Sequence, residues 1–66
     1  MTIISKTHVG RTFFDVVNNE IHYTVIKVNI NQAATQWYAI VPSPYQDITK
    51  TDLGAELILF CQTNGI

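Results

Sequence analysis

The fold is decided by the stretch FFDVVNNEIHYTV, which occupies positions 13–25. Two runs rich in β-branched and aromatic residues flank Asn18 and Asn19. Asparagine tolerates a positive φ better than most residues, which suits it to a tight turn between two strands. The pattern therefore predicts a β-hairpin in which Asn18 and Asn19 form a two-residue turn.

The predicted turn determines which residues of the two strands face each other. Val16 then lies opposite Ile21, and Phe14 lies opposite Tyr23. Because side chains alternate between the two faces of a strand, one face of the hairpin collects the apolar residues. That face holds Phe14, Val16, Ile21, Tyr23 and Val25, and the opposite face holds Asp15, Glu20, His22 and Thr24.

Two apolar residues, Phe13 and Val17, lie on the polar face of the predicted hairpin. Either a later part of the chain covers them, or they form part of a contact with a subunit or partner. On the same face Asp15 would lie opposite His22. We interpret this as an exposed ion pair, which contributes roughly 0–1 kcal/mol to stability.

The 66 residues form one small domain, spanning positions 1–66. A chain this short buries only about 60% of the surface that its unfolded form exposes, so its stability is marginal. Small folds often gain stability from disulfides, metals or oligomerisation. Cys61 is the single cysteine, and with His8 and His22 it makes no recognised zinc spacing. We therefore predict no metal and no cofactor.

Oligomerisation is the remaining source of stability, so we predict a homo-oligomer, with a dimer favoured. The contact would use Phe13, Val17 or an edge strand, and the candidate edge strands lie near residues 2–4 and 56–62. A strand at the edge of a sheet offers unpaired backbone groups to a second chain.

The charge pattern excludes several classes of partner. The formal net charge is −1, and the four basic residues, Lys6, Arg11, Lys27 and Lys50, are scattered along the sequence. Nucleic-acid binding needs clustered basic residues, so we expect no nucleic-acid partner.

No apolar run approaches transmembrane length, and residues 1–6 lack the apolar core of a signal peptide. Together with the lone cysteine, this predicts a cytoplasmic protein, of its own cell or of a host cell, with no membrane partner.

The strand that begins at Ile21 continues to Ile30, but its apolar residues change parity between Val25 and Ile26. A bulge or strong bend near that point would place both sets on one face. The alternative is a straight strand that is covered on both faces.

Residues 36–41 predict a further strand. Because long bent strands serve both halves of small barrels, we predict a small β-rich domain, an antiparallel meander curled toward an SH3-like barrel.

The C-terminal third of the chain allows two interpretations. Thr49 is suited to be a helix N-cap, with Asp52 three residues later as in a capping box. Gly54 would then end one short helical turn near residues 49–54, and residues 55–62 would form a final strand. The five apolar residues 57–61 favour this interpretation, since they exceed one stripe of a surface helix. The alternative is an α+β fold in which a three-stranded sheet is followed by a helix over 49–62.

No motif for catalysis is present in the sequence. Cys61 lies in an apolar run, where burial disfavours the reactive thiolate. Gly10, Gly54 and Gly65 are isolated, so there is no phosphate-binding loop. We therefore predict that the protein is not an enzyme.

A protein-interaction module is the function that remains after these exclusions. We expect a small inhibitor, adaptor or accessory subunit that covers the surface of a partner protein. Aromatic residues and arginine are the usual anchors of such contacts. The candidate partner-binding residues are Phe13, Tyr38, Tyr45 and Arg11.

The alternative function is an oligomeric small-molecule or nucleotide binder with pockets between protomers. Its candidate ligand-binding residues are Trp37, Tyr38, Tyr45, His22 and Arg11. Trp37 itself is more typical of a core residue, because a core this small needs large side chains.

Overall fold

The computed structural model describes residues 1–31 and 34–65, apart from the side chain of Asn31. Five strands form one antiparallel sheet in chain order, and a single C-terminal helix follows them. The elements are β1 (Thr2–His8), β2 (Thr12–Asn18), β3 (Ile21–Asn31), β4 (Ala34–Pro42), β5 (Tyr45–Asp47) and α1 (Asp52–Asn64). The predicted β-rich antiparallel meander is confirmed. Among the described residues β1 and β5 are not paired, so the sheet is open and closure into an SH3-like barrel is not confirmed.

The turn of the β2–β3 hairpin lies one residue later than the sequence predicted. Asn19 and Glu20 have φ values of 52° and 65°, the left-handed values that both central residues of a type I′ turn require. Asn18 is not a turn residue, because it pairs with Ile21 at the end of the ladder.

This displacement changes every predicted pairing by two residues and leaves the faces intact. Val16 lies opposite Tyr23, and Phe14 lies opposite Val25. The predicted pairs Val16–Ile21 and Phe14–Tyr23 are therefore wrong. A shift of two preserves the alternation of side chains, so each residue keeps its predicted face, and Phe14, Val16, Tyr23 and Val25 are buried together.

Core packing explains the observed register. Phe14, Val25 and Ala39 are paired in sequence across β2, β3 and β4, and each is at most 2% exposed. The register thus places three buried side chains in one row, while Ile21 is left half-exposed at the strand end. Packing of this row outweighs the cost of a left-handed glutamate, which is about 1–2 kcal/mol.

No bulge interrupts the strand β3 where one was predicted. Its ladders with β2 and β4 run through Val25 and Ile26 without a shift in register. Tyr23 and Val25 are buried on the helix side, and Ile26 and Val28 are half-buried on the other side. The predicted bulge near Val25 and Ile26 is wrong, because the second apolar set lies on the sheet face that α1 leaves uncovered.

The C-terminal segment is helical throughout, so the predicted strand over 55–62 is wrong, and so is the edge strand over 56–62. The helix α1 runs from Asp52 to Asn64, close to the alternative helix over 49–62. Its N-cap is Thr51 rather than Thr49, and the Thr51 hydroxyl accepts a hydrogen bond of 3.0 Å from the backbone N–H of Gly54. The apolar run was misleading because Leu59, in its middle, is 62% exposed.

Gly54 lies within the first turn of α1 and does not end it. A Cβ atom built on Gly54 would lie 1.8 Å from the carbonyl oxygen of Ile48. The glycine is therefore required by a close approach between the helix and the preceding backbone. Below it, Leu57 and Cys61 complete the buried stripe of the helix.

Thr49 has a different role from the predicted cap. Its hydroxyl oxygen accepts a hydrogen bond of 3.0 Å from the N–H of Ala39, and its own N–H donates to Asp47 Oδ1 at 2.9 Å. The backbone N–H of Ile48 donates to the carbonyl of Ala39 at 2.9 Å. Hydrogen bonds from the hydroxyl and the N–H of Thr49 hold the pKa of Asp47 below its ordinary value. The segment between β5 and α1 is thus bonded to β4.

The core lies between α1 and one face of the sheet. Its members are buried apolar residues from β2, β3, β4, α1 and the segment that precedes the helix. They are Phe14, Val16, Tyr23, Val25, Ala39, Ile48, Leu57 and Cys61.

The position of the hairpin turn can be tested with glycine substitutions. We expect Glu20→Gly to stabilise the protein by about 1 kcal/mol, because it removes a left-handed side-chain residue and creates the Asn-Gly turn sequence. Asn18→Gly is the matched control and should destabilise by about 0.5–1 kcal/mol, because it places glycine within a strand. The measurement is chemical denaturation followed by circular dichroism. The reverse order of stabilities would place the turn at Asn18 and Asn19.

The close approach at Gly54 predicts an effect opposite in sign to helix propensity. Gly→Ala within a helix normally stabilises by about 1 kcal/mol. We expect Gly54→Ala instead to destabilise by roughly 2 kcal/mol, because its Cβ would overlap the Ile48 carbonyl and force α1 away from the core. Thr63→Ala, at an exposed position of the same helix, is the control and should leave stability nearly unchanged. A more stable Gly54→Ala variant would contradict the contact.

Candidate functional site

The sheet has one face covered by α1 and one face without a covering element among the described residues. On this open face Phe13 pairs with Ile26, and Ile26 pairs with Tyr38. Residues directly opposite in neighbouring antiparallel strands have Cβ atoms about 4.5–5.5 Å apart. Phe13 and Ile26 are half-buried and Tyr38 is 36% exposed. We call these three residues the open-face row.

Further apolar side chains extend the open-face row on both sides. Val28 is two residues from Ile26 in β3, and Ile40 is two residues from Tyr38 in β4, so both lie on the open face. Both are half-buried. The hydroxyl of Tyr38 donates a hydrogen bond to Oε1 of Gln36, which orients the phenol ring along its strand. The open face therefore carries a continuous apolar area with one aromatic residue at each side.

A polar pair lies on the same face, toward the hairpin turn. Asp15 Oδ1 and His22 Nδ1 are 3.3 Å apart, and both side chains are well exposed. The two residues are diagonal neighbours rather than direct partners, because Asp15 pairs with Thr24 and His22 pairs with Val17. An exposed pair of this kind contributes roughly 0–1 kcal/mol to stability, so it marks a polar border of the apolar area.

The four predicted partner-binding residues do not all meet. Phe13 and Tyr38 share the open-face row. Tyr45 lies in β5 and pairs with Pro42 of β4. Pro42 is four residues from Tyr38 along β4, which corresponds to about 13 Å. Arg11 lies in the exposed connection between β1 and β2. The structure thus groups two of the four and places the others at the periphery.

A cleft of about 220 Å³ lies on the covered face, beside the last turn of α1. We call it the α1 cleft. Its aromatic wall consists of Phe14 and Trp37, whose rings are stacked with centroids 6.0 Å apart and planes 17° from parallel. Trp37 packs against the core, as its size predicted, and is also half-exposed in this cleft. The other predicted ligand residues, Tyr38, Tyr45, His22 and Arg11, do not line it.

Two lysines that are distant in sequence line the α1 cleft together. Lys6 Nζ lies 5.7 Å from the centroid of the Phe14 ring and donates a 2.8 Å hydrogen bond to the carbonyl oxygen of Gly65. Lys27 Nζ lies 5.6 Å from the centroid of the Trp37 ring. Sequence reasoning missed this cluster. The parity of Lys27 with Tyr23 and Val25 was the available signal, because it places the side chain on the core side of β3.

Reactive groups in the described ranges do not form a catalytic set. Burial raises the pKa of the Cys61 thiol to about 11, so the thiol keeps its proton at neutral pH. His8 is hydrogen-bonded to Thr12 across 3.1 Å, and His22 lies beside Asp15 on the opposite face of the sheet from Cys61. Within residues 1–31 and 34–65 no three histidine, cysteine or acidic side chains group together to hold a metal ion. In the same ranges no helix has the length and apolar character needed to cross a membrane.

Comparisons of the chain with protein-family models, with curated proteins and with solved structures found no match. Function is therefore inferred from the contacts, burial and charges of the residues themselves.

Proposed function

We propose that the protein is a non-enzymatic protein-interaction module that covers a partner's surface with the open face of its sheet. Such a module acts as a small inhibitor, an adaptor or an accessory subunit. The observation that carries the proposal is the open-face row, in which Phe13, Ile26 and Tyr38 form an aromatic–aliphatic–aromatic series across three strands.

The chemistry of the row matches the centre of a protein interface. Interface centres are depleted in charge and enriched in aromatic residues, and a few buried anchors supply most of the binding energy. The row contains no charged side chain, and the Asp15–His22 pair lies to one side of it. A partner that covers Phe13 and Tyr38 would bury apolar surface. Each Å² of apolar surface removed from water contributes about 25 cal/mol of favourable free energy.

Tyr45 and Arg11 have a secondary role in this proposal. Tyr45 is 71% exposed on the short edge strand β5. At the periphery of an interface such residues stay partly solvated, so their removal costs less than the removal of a central anchor. We therefore assign the anchor role to Phe13 and Tyr38 and a peripheral role to Tyr45 and Arg11.

The non-enzymatic part of the proposal rests on the state of the nucleophile and bases. Cys61 is buried and protonated, and His8 and His22 are each bonded to a neighbouring strand residue. We place the protein in the cytoplasm, of its own cell or of a host, because an unpaired thiol fits a reducing compartment.

We further propose that the chain forms a dimer through β1. Six of the seven residues of β1 are exposed, and this strand is an edge of the sheet, so its regular part, Ser5 to His8, can pair with a second chain beyond the irregularity between Ile3 and Ser5. The other edge, β5, has only three residues and so offers few backbone groups. Pairing through β1 leaves the open-face row free for a partner.

The anchor assignment predicts the effect of truncation on partner binding. We expect Phe13→Ala and Tyr38→Ala each to weaken binding by about 2 kcal/mol or more, which is roughly 30-fold. The measurement is co-purification with the tagged chain, followed by titration of the recovered partner against each variant.

Leu59→Ala is the matched control, because Leu59 is 62% exposed on the helix, away from the sheet face. It should bind like the wild type, and circular dichroism should show all three variants folded. Unchanged affinity of both row variants would contradict the proposal. If no protein co-purifies, while a small molecule raises the melting temperature and lies between protomers, the alternative of an oligomeric binder replaces it.

The proposed dimer predicts a mass that depends on concentration and on β1. We expect the wild type to sediment as a dimer at high micromolar concentration and Ile4→Lys to sediment as a monomer, since a charged side chain at an edge opposes strand pairing. Ile4 is 55% exposed, and Leu59→Lys provides the same change at a similarly exposed helical position. A wild-type monomer mass at every concentration would contradict the dimer.

A further inference from the structure

We propose that the α1 cleft binds a small planar anion, namely a single aromatic or heteroaromatic ring system that carries a carboxylate or a phosphate. The site lies within one protomer and on the covered side of the sheet, so it is independent of the protein contact proposed above. The residues that carry the inference are Lys6, Thr12, Phe14, Lys27, Trp37 and Gln62.

The size and the wall of the cleft define the planar part of the ligand. Trp37 is half-exposed, whereas Phe14 is 2% exposed and stacked against it, so the aromatic surface open to a ligand is that of Trp37, and aromatic rings prefer offset-stacked or edge-to-face contact. The volume of about 220 Å³ is below the roughly 300–1,000 Å³ of sites for drug-sized molecules. A single ring system fits these limits better than an extended molecule.

The charge of the cleft defines the acidic part of the ligand. In the described part of the chain, no carboxylate lies within 4.0 Å of the ammonium group of Lys6 or Lys27. The acidic residue Asp52 is at the far end of α1, about 18 Å from Asn64 along the helix axis. Lys6 and Lys27 therefore bring two positive charges to the carbonyl end of α1, and the contact of Lys6 with Gly65 offsets the partial negative charge of that helix end.

The ammonium groups of the two lysines differ in the contacts that they already make. Lys6 donates one of its three hydrogens to the Gly65 carbonyl, a contact that is explained by the end of the helix alone. Lys27 lies over the ring of its cross-strand partner Trp37 in a cation–π contact and makes no hydrogen bond to a described residue, so its ammonium hydrogens are available to an anion. Charge-assisted hydrogen bonds from ammonium to carboxylate or phosphate are about twice as strong as neutral ones.

Polar groups at the cleft add orientation. The hydroxyl of Thr12 is fixed by its hydrogen bond with His8, and Thr12 lies opposite Lys27 in the β2–β3 ladder. Gln62 brings a side-chain amide from the exposed side of α1. An anion bound by Lys27 would have the Gln62 amide as a neutral donor within the same cleft.

The test is titration of the full chain followed by NMR, since Trp37 is the only tryptophan and gives a single indole N–H signal. The probes are benzoate for the carboxylate class and phenyl phosphate for the phosphate class. Benzamide and phenol are their neutral counterparts, and inorganic phosphate tests the anion without a ring. We expect a saturable shift of the indole signal with a dissociation constant of about 1 mM or below for at least one anion.

The controls separate this site from general attraction of anions. We expect Lys27→Met to weaken binding of the anion roughly tenfold or more. Lys50→Met makes the same change of charge and should leave the affinity for the anion unchanged. We expect the neutral counterparts and inorganic phosphate to bind at least roughly tenfold more weakly, and added salt to weaken the wild-type interaction.

Three results would overturn the inference. They are the absence of a saturable shift with both anions, equal binding of a neutral counterpart or of inorganic phosphate, and undiminished binding by a folded Lys27→Met variant. The first two use only the wild type, so the test holds even if that variant fails to fold. Loss of partner binding in Phe13→Ala leaves the result unaffected, because Phe13 lies on the other face.

Discussion

The close approach of Gly54 to the carbonyl of Ile48 is the contact on which the rest of the structure depends. Ile48 is bonded to Ala39, so the contact ties the first turn of α1 to the middle of the sheet. It places Leu57 and Cys61 over the row formed by Phe14, Val25 and Ala39. A side chain at position 54 would separate the helix from that row and expose the core.

One helix of this length covers one face of a five-stranded sheet and no more. Among the described residues no further element covers the second face, and small domains leave much of their apolar surface in water. The apolar residues of the second face are therefore only half-buried in the described chain, as Phe13 and Ile26 show. The open-face row follows from the position of α1 on one face as much as from the composition of the strands.

The alternation of apolar residues was sufficient to predict the two faces of the hairpin, because a strand has a fixed period of two. It was not sufficient to place the turn, since a shift by two residues preserves the faces, and the buried row around Val25 decided the register. Residues 57–61 were misread for a related reason. Apolar residues in a small domain are not all buried, and Leu59 is exposed. The lysine pair depends on how β1 and β3 are brought together, which no local pattern contains.

The two candidate sites are built from three pairs of neighbouring residues in the sheet, and each pair gives one residue to each site. Phe13, Ile26 and Tyr38 lie on the open face, and their chain neighbours Phe14, Lys27 and Trp37 line the α1 cleft. Because successive side chains of a strand point to opposite faces, each residue of the row shares a peptide bond with a residue of the cleft. A substitution that only truncates a side chain changes one face alone. A substitution that moves the backbone changes both, so partner binding and the Trp37 signal together distinguish a lost contact from a distorted sheet.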